Sequence, residues 1–185
     1  MDGRPSTAAK QRLDLGCGRD SRTGRVNLDA RALHGVDVVH DLAEALPFAD
    51  GSFTEVLCED VLKHVDVVPV LRELHRVTVP GALVRVRSPH VSGRLAHLDP
   101  THRHSFSIET LRYFVDSGPG DDYYFDFAFT AMVGARILLP DRRGPPWNRA
   151  VQRWVNRSGR WQEFYEESAL CHLFPAVNVE VTLVR

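Results

Sequence analysis

The sequence predicts an α/β fold, built as one doubly wound and mostly parallel sheet with an antiparallel strand at its carboxyl-terminal end. Short apolar runs recur through the first half of the chain, a helix-period segment lies between two of them, and a strongly alternating run closes the sequence. With 185 residues, 43% of them hydrophobic and 25% charged, the chain suits one globular domain, residues 1–185, with a substantial core.

The first half of the chain is predicted to hold five strands and one helix. Short apolar runs bounded by polar residues or glycine are typical of buried parallel strands. These runs are 12–15, 26–28, 36–39, 55–58 and 82–86. Apolar residues at helical spacing predict a helix over 67–77. Asp29 follows Gly18 by only eleven positions, so the helix of the first crossover is predicted to be missing or reduced to a turn.

The second half is predicted to add helices, a flap and the antiparallel strand. Ser107 is suited to cap a helix, and aromatic alternation over 123–129 followed by an apolar run at 132–139 predicts an antiparallel flap over the site. The predicted helices are 107–116, 147–156 and 165–174, and the last strand is 177–184. The chain therefore divides into a ligand-binding core (11–88), a substrate-facing loop, flap and helix (89–160) and a closing helix and strand (161–185).

Composition excludes several classes of partner. A net charge of −1 gives no bulk attraction to nucleic acid or to an anionic membrane, and no apolar run approaches the roughly 20 residues that span a bilayer. Three widely spaced cysteines, Cys17, Cys58 and Cys171, indicate neither a disulfide framework nor a cysteine zinc site. We therefore expect a cytoplasmic protein, monomer or homodimer, that acts on a small molecule without nucleic-acid or membrane partners.

The most informative stretch runs from Arg12 to Gly18, where an apolar strand breaks into Gly16-Cys17-Gly18. Absent β-carbons let a ligand lie against the backbone of such a turn. Asp29, at the end of the next strand, supplies a carboxylate that can accept two hydrogen bonds from a ribose diol. A lone Gly-x-Gly is a weak signal, because an arbitrary strand followed by a glycine turn has the same pattern.

Residues Leu13 to Gly18 resemble the first motif of class I S-adenosylmethionine (SAM) dependent methyltransferases, and Asp29 resembles their ribose-binding acid. The stretch from Leu46 to Leu57 resembles the Leu-Pro-Phe-x-Asp-x-Ser-Phe-Asp-x-Val segment of the type 11 branch. The resemblance implies a Rossmann-like fold with SAM as cofactor, and it places Asp41 near the adenine amino group. The implied cofactor-binding residues are Asp14, Gly16, Cys17, Gly18, Asp29, Asp41, Leu42 and Glu59.

Four of the nine histidines lie within residues 90–104, directly after the fifth predicted strand. Imidazole titrates near neutrality, so such a cluster can remove a proton from a substrate hydroxyl or amine. Pro89-His90 and Asp99-Pro100-Thr101-His102-Arg103 resemble a segment of some type 11 enzymes, which implies a substrate-facing loop. The candidate catalytic residues are His64, His90, His97 and His102.

The preferred interpretation is a SAM-dependent methyltransferase of small-molecule biosynthesis that methylates an oxygen or nitrogen of a sugar or secondary metabolite. Its histidines would assist proton removal, and no metal is assigned. Three alternatives stay open. The first is a non-catalytic SAM- or nucleotide-binding Rossmann protein. The second is a metal-dependent hydrolase or oxygenase using His97, Asp99 and His102 or His104, and the third is that the loop histidines are structural.

Overall fold

The computed structural model describes residues 11–116, 124–141 and 145–185, arranged around a seven-stranded sheet. The strands are β1 (Gln11–Leu15), β2 (Val26–Asp29), β3 (Val38–Val39), β4 (Phe53–Glu59), β5 (Thr78–Pro89), β6 (Ala131–Leu138) and β7 (Asn178–Val184). Their order is β3-β2-β1-β4-β5-β7-β6, and among these strands β7 alone runs in the opposite direction to the other six. The predicted Rossmann-like, mostly parallel sheet is confirmed.

Six short helices and one 3₁₀ turn (Leu62–His64) accompany the sheet in the described residues. The helices are α1 (Val67–Val77), α2 (Arg94–Leu98), α3 (Ile108–Arg112), α4 (Asn148–Val155), α5 (Gly159–Glu167) and α6 (Leu170–Leu173). Ser107 caps α3 as predicted, since its Oγ accepts a hydrogen bond from Thr110 N at 3.3 Å. The single helix predicted at 165–174 is two helices, because Ser168 has an extended backbone that ends α5.

The two faces of the sheet differ in character. Leu13 and Val56, paired neighbours on one face, are fully buried in a core to which α1 adds Leu71 and Leu74. On the opposite face, Glu55 of β4 forms ion pairs at 3.1 to 3.3 Å with the guanidinium groups of three strand or loop residues. These are Arg12, Arg25 and Arg85. Within residues 11–59 the crossovers are loops, so this face carries ion pairs where a doubly wound sheet usually carries helices.

The predicted loss of the first crossover helix is therefore confirmed, and the predicted flap is not seen. Residues 124–130 contain no regular strand, and Phe129 makes only an isolated bridge with Val115. The apolar run at 132–139 instead forms β6, which pairs with β7 at the edge of the main sheet. Tyr123, where the predicted flap begins, lies outside the described residues.

The segment that resembles the type 11 branch is held against α1 by one arginine. Arg76 donates hydrogen bonds to the carbonyl oxygens of Leu46 and Phe48 at 3.1 and 2.9 Å, and to Asp50 Oδ1 at 2.7 Å. Glu73 pairs with the same guanidinium at 2.7 Å and accepts a hydrogen bond from Leu46 N. Arg76, together with Glu73 on the same helix, thus fixes the segment that leads to β4.

We expect Arg76→Lys to lower the free energy of unfolding by about 2 kcal/mol, since an ammonium cannot reach all the acceptors that the guanidinium fork serves. Urea unfolding followed by circular dichroism measures this loss. The matched control is Arg72→Lys on the same helix, whose exposed pair with Asp126 is expected to contribute less than about 1 kcal/mol. Equal losses in the two variants would contradict the role given to Arg76.

Candidate active site

The glycine turn lies at the carboxyl end of β1 and adopts a conformation that requires glycine. Gly16 and Gly18 have φ angles of +68° and +57°, and a β-carbon at Gly16 would lie 2.5 Å from a methyl group of Val61. Gly16 N and Cys17 N both donate to Leu28 O, at 2.8 and 3.1 Å. The turn is therefore fixed to the end of β2, with its backbone open to the space beyond the strands.

Asp29 closes this arrangement from the end of β2. Its Oδ2 accepts a hydrogen bond from Gly18 N at 2.8 Å, and its Oδ1 accepts one from Arg31 N at 2.9 Å. The side chain is partly exposed, and each carboxylate oxygen keeps a further lone pair for a ligand hydroxyl. The residue predicted to hold a ribose is thus positioned by the same turn that it closes.

A charged cleft of about 230 Å³ opens between the ends of β1 and β4. Arg22, in the loop that replaces the first crossover helix, contacts Asp14 Oδ2 at 3.3 Å and Glu59 Oε2 at 2.7 Å. Burial raises the pKa of Asp14 above its usual value, and the positive charge of Arg22 opposes that shift. Burial likewise raises the pKa of Cys17 to about 11, so its thiol lines the cleft uncharged.

Arg22 is a site residue that sequence reasoning missed. The sequence motif consists of the glycines, and Arg22 lies outside it, four positions after Gly18. Its side chain reaches the cleft from a loop of irregular conformation. The shortness of the crossover between β1 and β2 is the sequence feature that could have indicated Arg22. Long side chains of a loop, unlike those of a helix, can fold back over the strand ends.

Asp41 and Leu42, predicted to bind adenine, follow β3 at the edge of the sheet. Asp41 is exposed and its Oδ1 accepts a hydrogen bond from Ala43 N at 3.0 Å. Leu42 is buried and belongs to the hydrophobic core. Their role towards adenine stays a prediction.

The structure separates the four candidate histidines. His90 is fully buried, with Nδ1 accepting a hydrogen bond from Ser92 N at 3.1 Å and Nε2 lying 3.0 Å from Glu166 Oε1. We therefore assign His90 to packing and leave it out of the proposed reaction. His97 is exposed, with Nε2 lying 3.0 Å from the carbonyl oxygen of Val91.

His64 and His102 lie side by side, in a group that also contains Asp99 and Thr101. The two imidazole rings meet edge to face with centroids 4.9 Å apart. Thr101 Oγ1 lies 3.0 Å from His64 Nδ1 and donates to Asp99 Oδ1 at 2.7 Å. Burial, followed by the charge of Lys63, lowers the pKa of His64 below its ordinary value. The unprotonated ring suits either proton acceptance or metal ligation.

Backbone contacts bring this group together from two parts of the chain. Arg103 N donates to Lys63 O at 2.7 Å, which fixes the loop after β5 against the 3₁₀ turn after β4. The sequence alone grouped His97 with Asp99 and His102. In the structure His64 takes the place of His97 in that group.

An apolar cleft of about 460 Å³ adjoins the histidine group. Aromatic side chains form much of its wall, and the first turn of α1 completes it. The aromatic residues are Phe106, Tyr113, Phe114 and Phe125. Asp66 and His104 also line this cleft, and they lie two positions along the chain from His64 and His102 respectively, which are not themselves among its lining residues. A cleft of this size and lining suits a small, largely apolar molecule.

Parallel strands that end in a glycine turn, with an acid on the next strand, define a Rossmann-like site for a nucleoside cofactor. Residues 13–86 match a family model described as "Methyltransferase domain". The chain is 43% identical over 164 residues to a protein from Geobacillus stearothermophilus named demethylmenaquinone methyltransferase, covering 86% of this chain and 57% of the relative. Residues 13–86 are therefore similar to a methyltransferase domain, and the chain spans little more than half of the length of the curated relative that it matches.

Solved structures show the same fold. A SAM dependent methyltransferase from Archaeoglobus fulgidus has a TM-score of 0.62 at 15% identity, covering 96% of this chain and 87% of that one. An S-adenosylmethionine dependent methyltransferase from Mesorhizobium loti has a TM-score of 0.57 at 17% identity, covering 95% and 90%. No helix in the described ranges is both long and apolar enough to cross a membrane.

Proposed function

We propose that this chain transfers the methyl group of SAM to a small, largely apolar acceptor that carries a hydroxyl group on a ring. The observation that carries the proposal is the glycine turn closed by Asp29, in which Gly16 leaves no room for a side chain, Gly18 has a positive φ that favours glycine, and a carboxylate keeps lone pairs for a diol. The apolar cleft beside the histidine group supplies the acceptor site.

The charges of the cleft fit the methionine end of SAM, which carries one ammonium and one carboxylate group. Asp14 and Glu59 can accept from the ammonium, while the guanidinium groups of Arg22 and Arg87 can bind the carboxylate. Asp29 would hold the ribose and Asp41 would lie near the adenine. Bound SAM supplies an activated methyl group, so the chain's own residues mainly position the acceptor and assist loss of its proton.

The lining of the apolar cleft favours an apolar ring compound over a sugar as acceptor. Sugars need many hydrogen-bond partners, whereas this cleft offers mainly aromatic and aliphatic side chains. The relative named demethylmenaquinone methyltransferase carries out a C-methylation, so it does not support the expected methylation of oxygen or nitrogen. A hydroxyl group on an aromatic ring accommodates either outcome, because the phenolate is nucleophilic at oxygen and at the adjacent ring carbon, and after attack from carbon the ring loses the hydrogen of that carbon as a proton.

His64 and His102 are the histidines that we propose assist deprotonation. Each lies two positions along the chain from a residue that lines the apolar cleft, whereas His90 is enclosed and His97 lies outside the group. The apolar cleft also favours this proposal over a non-catalytic SAM-binding protein, because such a protein needs no acceptor site.

Calorimetric titration of the purified chain with SAM and S-adenosylhomocysteine, with NAD as control, tests the cofactor. Incubation with methyl-labelled SAM and a panel of hydroxylated one- and two-ring compounds, followed by mass spectrometry, tests the reaction and locates the methyl group. Absence of measurable affinity for both SAM and its product would overturn the proposal. Binding without transfer to any member of the panel would favour the non-catalytic alternative.

A further inference from the structure

Two imidazole rings and one carboxylate converge beside the acceptor cleft. His64, Asp99 and His102 each offer one ligand atom, and the three atoms lie within 4.8 Å of one another. The His102 Nε2 and Asp99 Oδ2 atoms are 3.8 Å apart, which is beyond hydrogen-bond distance. The side chains therefore approach one another without satisfying each other directly.

The hydrogen-bond partners of both rings place a hydrogen on Nδ1, so the neutral form of each ring has its lone pair at Nε2. The carbonyl oxygen of Ala96 lies 3.3 Å from His102 Nδ1 and can only accept, so Nδ1 carries the hydrogen and Nε2 presents a lone pair. Thr101 donates its hydroxyl hydrogen to Asp99 Oδ1, so its oxygen accepts from His64 Nδ1. The neutral His64 ring then also presents a lone pair at Nε2.

The second ligand sphere is already in place. Asp99 Oδ1 accepts from both the backbone N and the hydroxyl group of Thr101, at 2.8 and 2.7 Å, while Oδ2 faces His102. Each ring thus donates its Nδ1 hydrogen to an oxygen and keeps Nε2 free, as metal-binding histidines commonly do. Lone pairs brought together in this way repel one another unless a cation lies between them.

We propose that His64, Asp99 and His102 bind one divalent transition-metal ion, of which Zn²⁺ is the representative. Two imidazoles and one carboxylate suit zinc and its neighbours in the first transition row, whereas Mg²⁺ and Ca²⁺ require oxygen ligands. Three protein ligands leave at least one coordination position open, as in catalytic rather than structural sites. The open position is available to an oxygen of the molecule in the apolar cleft.

This role of the ion rests on the proposed function, although metal binding itself does not. The acceptor hydroxyl loses its proton to solvent on binding the ion, because a divalent cation lowers the pKa of a bound oxygen. The deprotonated acceptor then forms the new bond to the methyl carbon as the S–CH₃ bond breaks. The electron pair of the broken bond remains on sulfur, which gives S-adenosylhomocysteine. The substrate class is therefore a ring compound whose hydroxyl oxygen can bind a metal.

Titration of metal-free full-length chain with ZnCl₂, followed by calorimetry, tests the site, and Co²⁺ absorption reports histidine and carboxylate ligation. We expect one ion per chain. His64→Ala and Asp99→Asn should each weaken Zn²⁺ binding by about 100-fold, and Thr101→Val by roughly 10-fold or more, as second-sphere losses do. Asp99 is exposed, so Asp99→Asn keeps the test decisive if a histidine variant fails to fold.

The matched control is His97→Ala, an exposed histidine of α2, five residues before His102, that the sequence pattern placed in the site. It should bind Zn²⁺ as the unmodified chain does. Failure of the unmodified chain to bind one ion at micromolar concentration, or equal weakening in His97→Ala and His64→Ala, would overturn the proposal. SAM affinity, measured separately on the same samples, shows whether the cofactor assignment fails independently of the metal site.

Discussion

Asp29→Ala is expected to weaken SAM binding by about 100-fold or more. The carboxylate serves both the ligand and the turn, since it would accept hydrogen bonds from the ribose and already accepts one from Gly18 N at 2.8 Å. Hydrogen bonds to charged groups contribute about 1.5 to 3 kcal/mol, and each 1.4 kcal/mol is a factor of ten in affinity. Loss of the ligand contact alone accounts for about one order of magnitude, and loosening of the glycine turn supplies the remainder.

Asp29→Asn separates the two contributions. The amide oxygen can still accept from Gly18 N, but the side chain loses its charge and one acceptor. We therefore expect an affinity between those of the unmodified chain and Asp29→Ala. Calorimetric titration with S-adenosylhomocysteine measures all three proteins, and urea unfolding checks that each is folded. An Asp29→Ala variant with undiminished affinity would place the ribose elsewhere and remove the main support for the proposed function.

The relative positions of the glycine turn and Asp29 could be predicted from sequence because their geometry is local, while their role towards SAM stays a prediction. Gly16, Gly18 and Asp29 lie at the ends of adjacent parallel strands, so their order in the chain is also their order in space. The missing crossover helix could be predicted for the same reason, since counting residues between two strand ends limits what fits there. The directions of that loop's side chains do not follow from residue counts. Arg22 was missed because the position of its side chain depends on contacts with β1 and β4.

The histidine half could not be resolved from sequence because its determinants are distant. His64 joins Thr101 across 37 positions, through a loop whose course is set by the bond between Arg103 N and Lys63 O. His90 pairs with Glu166 across 76 positions. Clustering along the chain therefore identified the segment that holds Asp99, Thr101 and His102, but it could not show which imidazole joins them and which is buried in the core.

Glu166→Leu is expected to lower the free energy of unfolding by about 3 kcal/mol. Glu166 Oε1 accepts a hydrogen bond from Ile108 N at 3.0 Å, at the start of α3, and lies 3.0 Å from Nε2 of the fully buried His90. The substitution leaves two enclosed donors without an acceptor, and each such loss costs about 1 to 3 kcal/mol. Urea unfolding followed by circular dichroism measures the change.

Two further variants decide whether His90 serves packing or chemistry. Glu166→Gln keeps an acceptor oxygen and should recover most of the stability, while the exposed neighbour Glu167→Leu should change it by less than about 0.5 kcal/mol. A packing role predicts that SAM affinity and methyl transfer in Glu166→Gln follow the folded fraction alone. Greatly reduced methyl transfer by a folded Glu166→Gln protein would instead indicate that His90 takes part in the reaction, since this substitution changes only the charge of the residue that His90 contacts. The burial of His90 makes the first outcome the expected one, because no acceptor can reach a ring that has no exposed surface.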